Sequence, residues 1–332
     1  MTAILLVASL IVILTGCEGF TNGIEWFGKK HGLGEGAVGS ILAAIGTALP
    51  ETLVPLVAIV LTGGDHGEDI GIGAILGAPF MLSTLAMFVT GAALVIFHFT
   101  RKRQLNPRVN QRIAGRDLTF FLCFYTLAIA AGILHLRPLS LALAPLLWLG
   151  YVVYVYLTLK TEGDLDGETR ELYFHRNHLP ELPHPPRIIA QIVLSLAAIV
   201  LGARLFVDAV GSVADFLGLP ALVVSMLITP IATELPEKFN SVIWIRARKD
   251  TLALGNITGA MVFQSVFPVS VGLLLTDWRL SGIAVVSAAL ALGSGLMLLL
   301  WMWLRKTLAW WMLLLGGAWY TVFAVYAVVS NL

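Results

Sequence analysis

Ten apolar runs, each long enough to cross a bilayer as a helix, take up most of this 332-residue chain. They fall at about residues 3–27, 37–62, 70–97, 117–134, 139–159, 188–216, 221–245, 251–276, 281–304 and 308–329. A helix needs about 20 apolar residues to span the hydrocarbon. A backbone in lipid must also satisfy its own hydrogen bonds, which a helix does internally. Composition agrees, with 58% hydrophobic and only 12% charged residues, where soluble domains carry about a quarter charged. The expectation is an all-α integral membrane protein with ten transmembrane helices in the lipid bilayer. No nucleic-acid partner is expected. The two cysteines, Cys17 and Cys123, lie in different runs and offer no disulfide or metal framework. Leu14 to Cys17 imitates a lipoprotein signal, but no basic residues precede it and no soluble domain follows, so the segment counts as the first span.

Placement of the charges gives orientation. Lys29 and Lys30, the cluster from Arg101 to Arg116, Lys160 to Arg187, Arg246 to Lys249, and Arg305 with Lys306 occupy alternate loops. The opposite loops hold only Arg137 and Arg279. Basic loops stay in the cytoplasm, so both termini are expected outside and the linker at 161–186 inside. Trp301, Trp303, Trp310 and Trp311 flank the Arg305–Lys306 turn as an interfacial belt.

The halves, 1–160 and 187–332, repeat one another. One offset carries Gly16, Phe20, Gly32, Leu33, Thr47, Leu49, Pro50 and Glu51 onto Gly202, Phe206, Gly218, Leu219, Thr233, Leu235, Pro236 and Glu237. After a four-residue shift, Gly73, Ile75, Gly77, Ala78 and Ser83 meet Gly255, Ile257, Gly259, Ala260 and Ser265. An odd number of spans per unit turns the second upside down. The expected architecture is therefore two inverted five-helix repeats, the arrangement of alternating-access carriers.

Within each repeat one stretch breaks the rules of its apolar surroundings. Ile228 to Glu237 carries Glu234, Glu237, two threonines and two prolines; Ala44 to Glu51 carries Thr47, Pro50 and Glu51. Ionisable groups at that depth are costly and mark polar pathways. Pro236 cannot donate to the carbonyl of Ala232, nor Pro50 to that of Gly46, so those oxygens are released. Thr233 and Glu237 stand four apart on a helix, as do Thr47 and Glu51, and share a face. Carboxylates, hydroxyls and freed carbonyls suit a hard cation, which takes about six to eight oxygens in the case of calcium.

With these residues in place, the chain resembles the cation/calcium exchanger superfamily, most closely the sodium/calcium exchangers. G-T-A-L-P-E at Gly46–Glu51 and A-T-E-L-P-E at Ala232–Glu237 are similar to that family's two signatures, normally G-T-S-L-P-E. Leu252–Ala260 and Gly202–Asp208 resemble its eighth and sixth spans. The resemblance implies an antiporter that exports Ca2+ against an inward monovalent counter-ion, with Thr47, Glu51, Thr233 and Glu237 as cation ligands. Departures fall on the remaining ligand positions. Ala48 and Glu234 replace the family's serine, Ala78 and Ala260 its next-span serines, and Leu82 and Gln264 its Asn or Asp. The expected metal set is thus Glu51, Glu237, Thr47, Thr233, Glu234 and Gln264, with the carbonyls of Gly46 and Ala232. Several sodium-binding oxygens are missing, so protons are the alternative coupling ion. A degenerate cation-binding protein that transports nothing is a further alternative.

Lys238 follows Glu234 by four, the favourable order for an internal ion pair; a share in coupling through proton movement is the sharper reading. Glu18, Asn22 and Glu25 fall on one face of span one, and Arg204 with Asp208 is expected to pair in span six. Spans one and six are the expected moving pair. Asp65, Glu68 and Asp69 are expected to form an acidic mouth in the loop after span two. Glu162–Glu168 lacks an acid at the twelfth position of a calcium loop, where Tyr173 stands, and His175, His178 and His184 near Glu181 are expected to be unliganded. No Walker motif or nucleophile elbow occurs, and His31, His66, His98 and His135 lie near span ends. Neither an enzyme nor a resident cofactor is expected, and a bacterial cytoplasmic membrane is the expected location.

Overall fold

The computed structural model describes residues 2–30, 49–160, 185–280 and 282–330; the side chains of Glu25, Leu235, Pro236 and Glu237 lie outside that description. Helices α1 (Thr2–Lys30) and α2 (Leu49–Val57, continued by a π-helical turn Ala58–Thr62) come first. Helix α3 (Gly64–Met81) runs through a π-helical turn, Leu82–Ala86, into α4 (Met87–Arg101). Then follow α5 (Gln111–Leu134), α6 (Arg137–Leu159), α7 (Pro185–Leu217) and α8 (Ala221–Arg246). The chain closes with α9 (Asp250–Gln264), α10 (Phe267–Leu275), α11 (Gly282–Arg305) and α12 (Trp310–Val329). Among the described residues there is no strand. Among the described residues, eight helical stretches are long and apolar enough to cross a membrane, and Leu49–Thr62 and Ala221–Glu234 are shorter apolar helices. The protein is a multi-pass membrane protein.

Local chemistry sets the ends of these helices. The Asn110 side chain accepts from the Arg112 N–H at 3.0 Å and caps α5. Gly63 and Gly218, at φ +65°, turn the chain after α2 and α7, in a region that only glycine enters cheaply. Asp65, Glu68 and Asp69 are not in a loop as expected: they ride the first turns of α3. Acidic residues are stabilised there by the exposed N–H groups of a helix start, and Gly63 alone separates the helices.

Two of the apolar runs are interrupted. In α3, Pro79 removes a helical donor, and the π-helical turn begins three residues later. The run at 251–276 breaks at Ser265–Val266 and restarts with Pro268 in the first turn of α10. Ser83 and Ser265, which the repeat superposes, both sit at these breaks. Each hydroxyl donates to the carbonyl three residues back, Phe80 at 3.1 Å and Val262 at 2.7 Å.

Lipid tails are as apolar as leucine, so helices in a membrane associate through close packing and interhelical hydrogen bonds. Helix α1 lies along α7 with glycines at the contact. A Cβ on Gly16 would stand 2.8 Å from the Ile199 side chain, and one on Gly202 would stand 2.9 Å from Ile13. The Gln191 amide donates to Asn22 at 2.9 Å and to the Gly19 carbonyl at 2.8 Å, tying the two helices further. Helices α3 and α8 pack as closely: a Cβ on Gly77 would lie 2.3 Å from the Met226 carbonyl oxygen. Two hydrophobic clusters result. One holds Ile13, Val54, Val57, Ile199, Phe206 and Val210, from α1, α2 and α7. The larger gathers Phe80, Phe121, Tyr125, Met261, Trp278 and Phe323 from α3, α5, α9, α12 and the segment before α11. Outside, α6 turns Leu146, Leu149, Val152, Val153 and Tyr156 outward, an apolar stripe at helical spacing suited to lipid.

Charged groups brace the larger cluster. Arg103 holds both carboxylate oxygens of Asp250 at 2.8 Å and donates to the Ile245 carbonyl, and the Arg108 N–H donates to the same carboxylate. Asp117 accepts from Thr258 at 2.8 Å, from Tyr154 at 3.2 Å and from Arg116, joining α5, α6 and α9. Arg137 donates to the carbonyls of Leu273, Leu274 and Thr276, where α10 runs out of internal partners.

Candidate cation site

Helix α2 begins with Leu49-Pro50-Glu51, and Glu51 is only 5% exposed. The segment that would supply Gly46 and Thr47 lies outside the described residues. Helix α2 packs against α3, α7, α8 and α10, which places the Glu51 helix among the elements of the second half.

Helix α8 carries the matching stretch. Ala232, Thr233, Glu234 and Lys238 are all buried along it. The Thr233 hydroxyl donates to the Thr229 carbonyl at 3.1 Å; the Ser225 and Thr229 hydroxyls lie 3.1 Å apart, and Ser225 donates to the Ile70 carbonyl of α3 at 2.6 Å. Ser225, Thr229 and Thr233 therefore form a buried hydroxyl stripe at four-residue spacing, and Glu237 is the next residue in that register. The sequence marked Thr233 as a ligand, counted Thr229 only as one of the two threonines in the stretch, and left Ser225 unmarked. Their spacing was the available signal, but lone hydroxyls are common in membrane helices and usually bond the backbone a turn earlier.

A second stripe of α8 holds Glu234 and Lys238. The ammonium of Lys238 lies 3.3 Å from Glu234 Oε2, as the four-residue spacing predicts. The other oxygen, Oε1, accepts from the side-chain amide of Gln264, the last residue of α9. That hydrogen bond fixes the amide's orientation, since the carbonyl oxygen would repel the carboxylate. Gln264 Oε1 is left buried with no donor among the described residues. Its counterpart across the repeat, Leu82, is wholly buried and apolar.

Of the expected metal-binding residues, Glu51, Ala232, Thr233, Glu234 and Gln264 are buried on α2, α8 and α9. The backbone of Glu237 continues α8. The subsidiary expectations fare differently. Arg204 and Asp208 are both exposed on α7, and among the described residues no ion pair joins them. They face away from the α1 contact that Gly202 makes, which a four-residue spacing alone does not reveal. Asn22 is buried against Gln191 while Glu18 is exposed, so the face expected to be common to both is split by the packing. The acidic linker and its histidines lie outside the described residues. Among the described residues no three His, Cys, Asp or Glu side chains cluster in a way that could hold a metal ion.

Comparison with known proteins bears on this geometry. The inner membrane protein YrbG of Escherichia coli is 25% identical over 289 residues, covering 84% of this chain and 82% of its relative. Among solved structures, the H+/Ca2+ exchanger CAX superposes with a TM-score of 0.71 at 14% identity, covering 99% of this chain and 86% of the other. The sodium-calcium exchanger NCX_Mj gives 0.56 at 21% identity, covering 97% and 98%. At such identities these structures establish the fold alone. The sequence model of the sodium/calcium exchanger protein family matches residues 1–160 and 187–329, both halves of the chain. With its two proline-flanked acidic segments inside that match, this chain belongs to the sodium/calcium exchanger protein family.

Proposed function

We propose that the chain is a secondary active antiporter that exports Ca2+ or a similar divalent cation by alternating access, in exchange for sodium. Burial of Glu51 among α2, α3, α7, α8 and α10 carries the reading. An ionisable side chain buried at that depth in an apolar bundle marks a polar or ionic pathway. Glu51 and Glu237 are the shared central ligands. Thr47 and Thr233, the carbonyls of Gly46 and Ala232, and the side chains of Glu234 and Gln264 complete the set. Exchange follows from competition: the acids cannot stay ionised and unpaired at low dielectric, so a departing divalent ion must be replaced.

Ten crossings in two inverted repeats, 1–160 and 187–332 about the linker 161–186, provide the machinery. The reciprocal contacts of Gly16 with Ile199 and of Gly202 with Ile13 support this symmetry, as do the matched serine breaks. Helices α1 and α7 are the moving pair; the packing of α1 along α7, with α1 in only sparse contact with other described helices, supports that assignment. Both termini face outward from a bacterial cytoplasmic membrane. No cofactor resides in the protein, the ions are cargo, and the chain is not an enzyme.

Proton coupling is the second reading, favoured by the apolar residues Ala48, Ala78, Leu82 and Ala260 at positions where the family supplies oxygens. Calcium-45 uptake into proteoliposomes under an imposed sodium or proton gradient decides the matter. Uptake driven by sodium supports the first reading and uptake driven by protons the second. Uptake with neither, or an unchanged rate in Glu51→Gln, overturns the carrier reading.

A further inference from the structure

The unit formed by Glu234, Lys238 and Gln264 is the least expected part of α8 and α9. It is a carboxylate held on one oxygen by an amide and on the other by an ammonium, all three residues at most 3% exposed. None of it is present in the first repeat, where the matching positions are Ala48, Thr52 and Leu82. An ordinary surface ion pair could have been placed anywhere on the helix. This one stands beside Glu237, in the stretch that the preceding section reads as the cation site, and at the point where α9 ends.

We propose that Lys238 is a covalently tethered monovalent cation, whose ammonium fills the seat made by Glu234 and so closes it to sodium and other free monovalent ions. The inference deepens the antiporter reading and rests on it. Electrostatics supports the assignment. A buried carboxylate donated to by one neutral amide keeps an uncompensated charge, and in low dielectric a cation must supply the balance. A lysine ammonium is a compact, strongly hydrated point charge with three donors, close in character to a small monovalent ion. Tethered on the same helix one turn away, it needs no ion from solution and cannot leave with the cargo. Glu234 and Lys238 then contribute no net charge; Glu234 lends the site an oxygen dipole, and the charge the mobile ions balance is that of Glu51 and Glu237. The role is that of a fixed charge; no proton moves.

The test uses small-cation rescue of the full-length protein. In Lys238→Ala the space left by the side chain and the bare Glu234 carboxylate should create a requirement that the natural protein lacks. Calcium-45 flux by K238A in choline medium should fall about tenfold or more and recover when methylammonium replaces choline. The double variant E234Q/K238A, with neither charge, should respond equally to the two media, as should the natural protein. In detergent, methylammonium should raise the melting temperature of K238A and leave that of E234Q/K238A unmoved. Equal behaviour of K238A in both media, or the same requirement in the double variant, overturns the tethered-cation role and leaves a structural ion pair. So does a K238A protein that neither methylammonium nor sodium allows to be purified while E234Q/K238A is recovered. Absence of flux in the natural protein would instead sink the antiporter reading, with the melting comparison still able to decide the role of Lys238.

Discussion

Around Glu51 the described positions that correspond to ligands are apolar: Ala78 and Leu82 are 3% and 0% exposed and carry no oxygen in their side chains. Around the matching stretch of α8 stand Ser225, Thr229, Thr233, Glu234, Lys238 and Gln264, all buried. If the two halves are the inverted repeats proposed above, the module has been kept twice as backbone and once as chemistry. The shared part is geometric, a proline beside an acid and a serine at a helix break. The unshared part is the set of side chains that decides which ions are tolerated. A half-site limited to Glu51, the Thr47 hydroxyl and the Gly46 carbonyl can attract a divalent ion but has fewer side chains to discriminate among monovalent ones, so selectivity should reside in the second half.

The largest effect should come from the acids themselves. Glu51→Gln removes the carboxylate that the first half contributes to the proposed ligand set and should lower calcium-45 flux about a hundredfold or more, the equivalent of about 3 kcal/mol. Glu237→Gln should be severe but shallower, since the buried hydroxyls of Thr229 and Thr233 remain in the same register of α8. Losses of equal depth, or a deeper loss at Glu237, would break the asymmetry just drawn.

Next in size is the brace that ties Arg103 of the first half to Asp250 at the start of α9. Arg103 and Asp250 are a bidentate pair with both side chains 4% exposed. Removing one partner of a buried pair typically costs about 3–5 kcal/mol. Arg103→Met should therefore lower the melting temperature of the purified protein markedly, and adding Asp250→Asn should recover part of the loss. The brace is buried and ties the first half to the second, so no exposed ion pair should match it. A drop as large from Asp277→Asn, whose Arg279 partner is 3.9 Å away and exposed, would contradict that distinction.

How far the sequence carries this comparison depends on range. Proline and glutamate inside an apolar run violate local rules, so both acidic stretches could be read directly from residues 44–51 and 228–237. The Glu234–Lys238 pair is also local, one helical turn long, and the structure has it. The Arg103–Asp250 brace was illegible, because its partners lie 147 residues apart and nothing near either marks the other. Tyr154, Asp117 and Thr258 were hidden for the same reason. The acidic residues after α2 were misplaced because a polar helix start and a polar loop have the same composition. Arg204 and Asp208 failed as a pair because spacing fixes a face of a helix but not what that face meets.

Smaller effects test the geometric part that the halves share. Gly16 and Gly202 meet each other's helix in the same way, with a Cβ predicted to stand 2.8 Å and 2.9 Å from the matching isoleucines and 3.1 Å from backbone atoms. Overpacking of this kind costs about 1–3 kcal/mol. Gly16→Ala and Gly202→Ala should lower stability by similar amounts and slow flux by wedging α1 from α7. Strongly unequal losses would count against the pseudo-twofold relation.

The smallest effect concerns the helix breaks. Ser83 donates to Phe80 and Ser265 to Val262, each satisfying a carbonyl where the regular pattern lapses. A hydrogen bond of this kind is worth about 1 kcal/mol, so Ser83→Ala and Ser265→Ala should each shift the melting temperature slightly. The two should differ in function. The Ser83 carbonyl also accepts from Ser294 on α11 at 2.7 Å, so an outside helix holds that break whatever residue 83 is. Ser265 directly follows Gln264, whose amide holds Glu234. Loss of the Ser265 hydroxyl should loosen the end of α9 and with it the amide, so flux selectivity between calcium and strontium should move in Ser265→Ala and stay put in Ser83→Ala. Equal selectivity in both variants would mean that the break in α9 does not orient Gln264, and that the polar equipment of the second half is held by α8 alone.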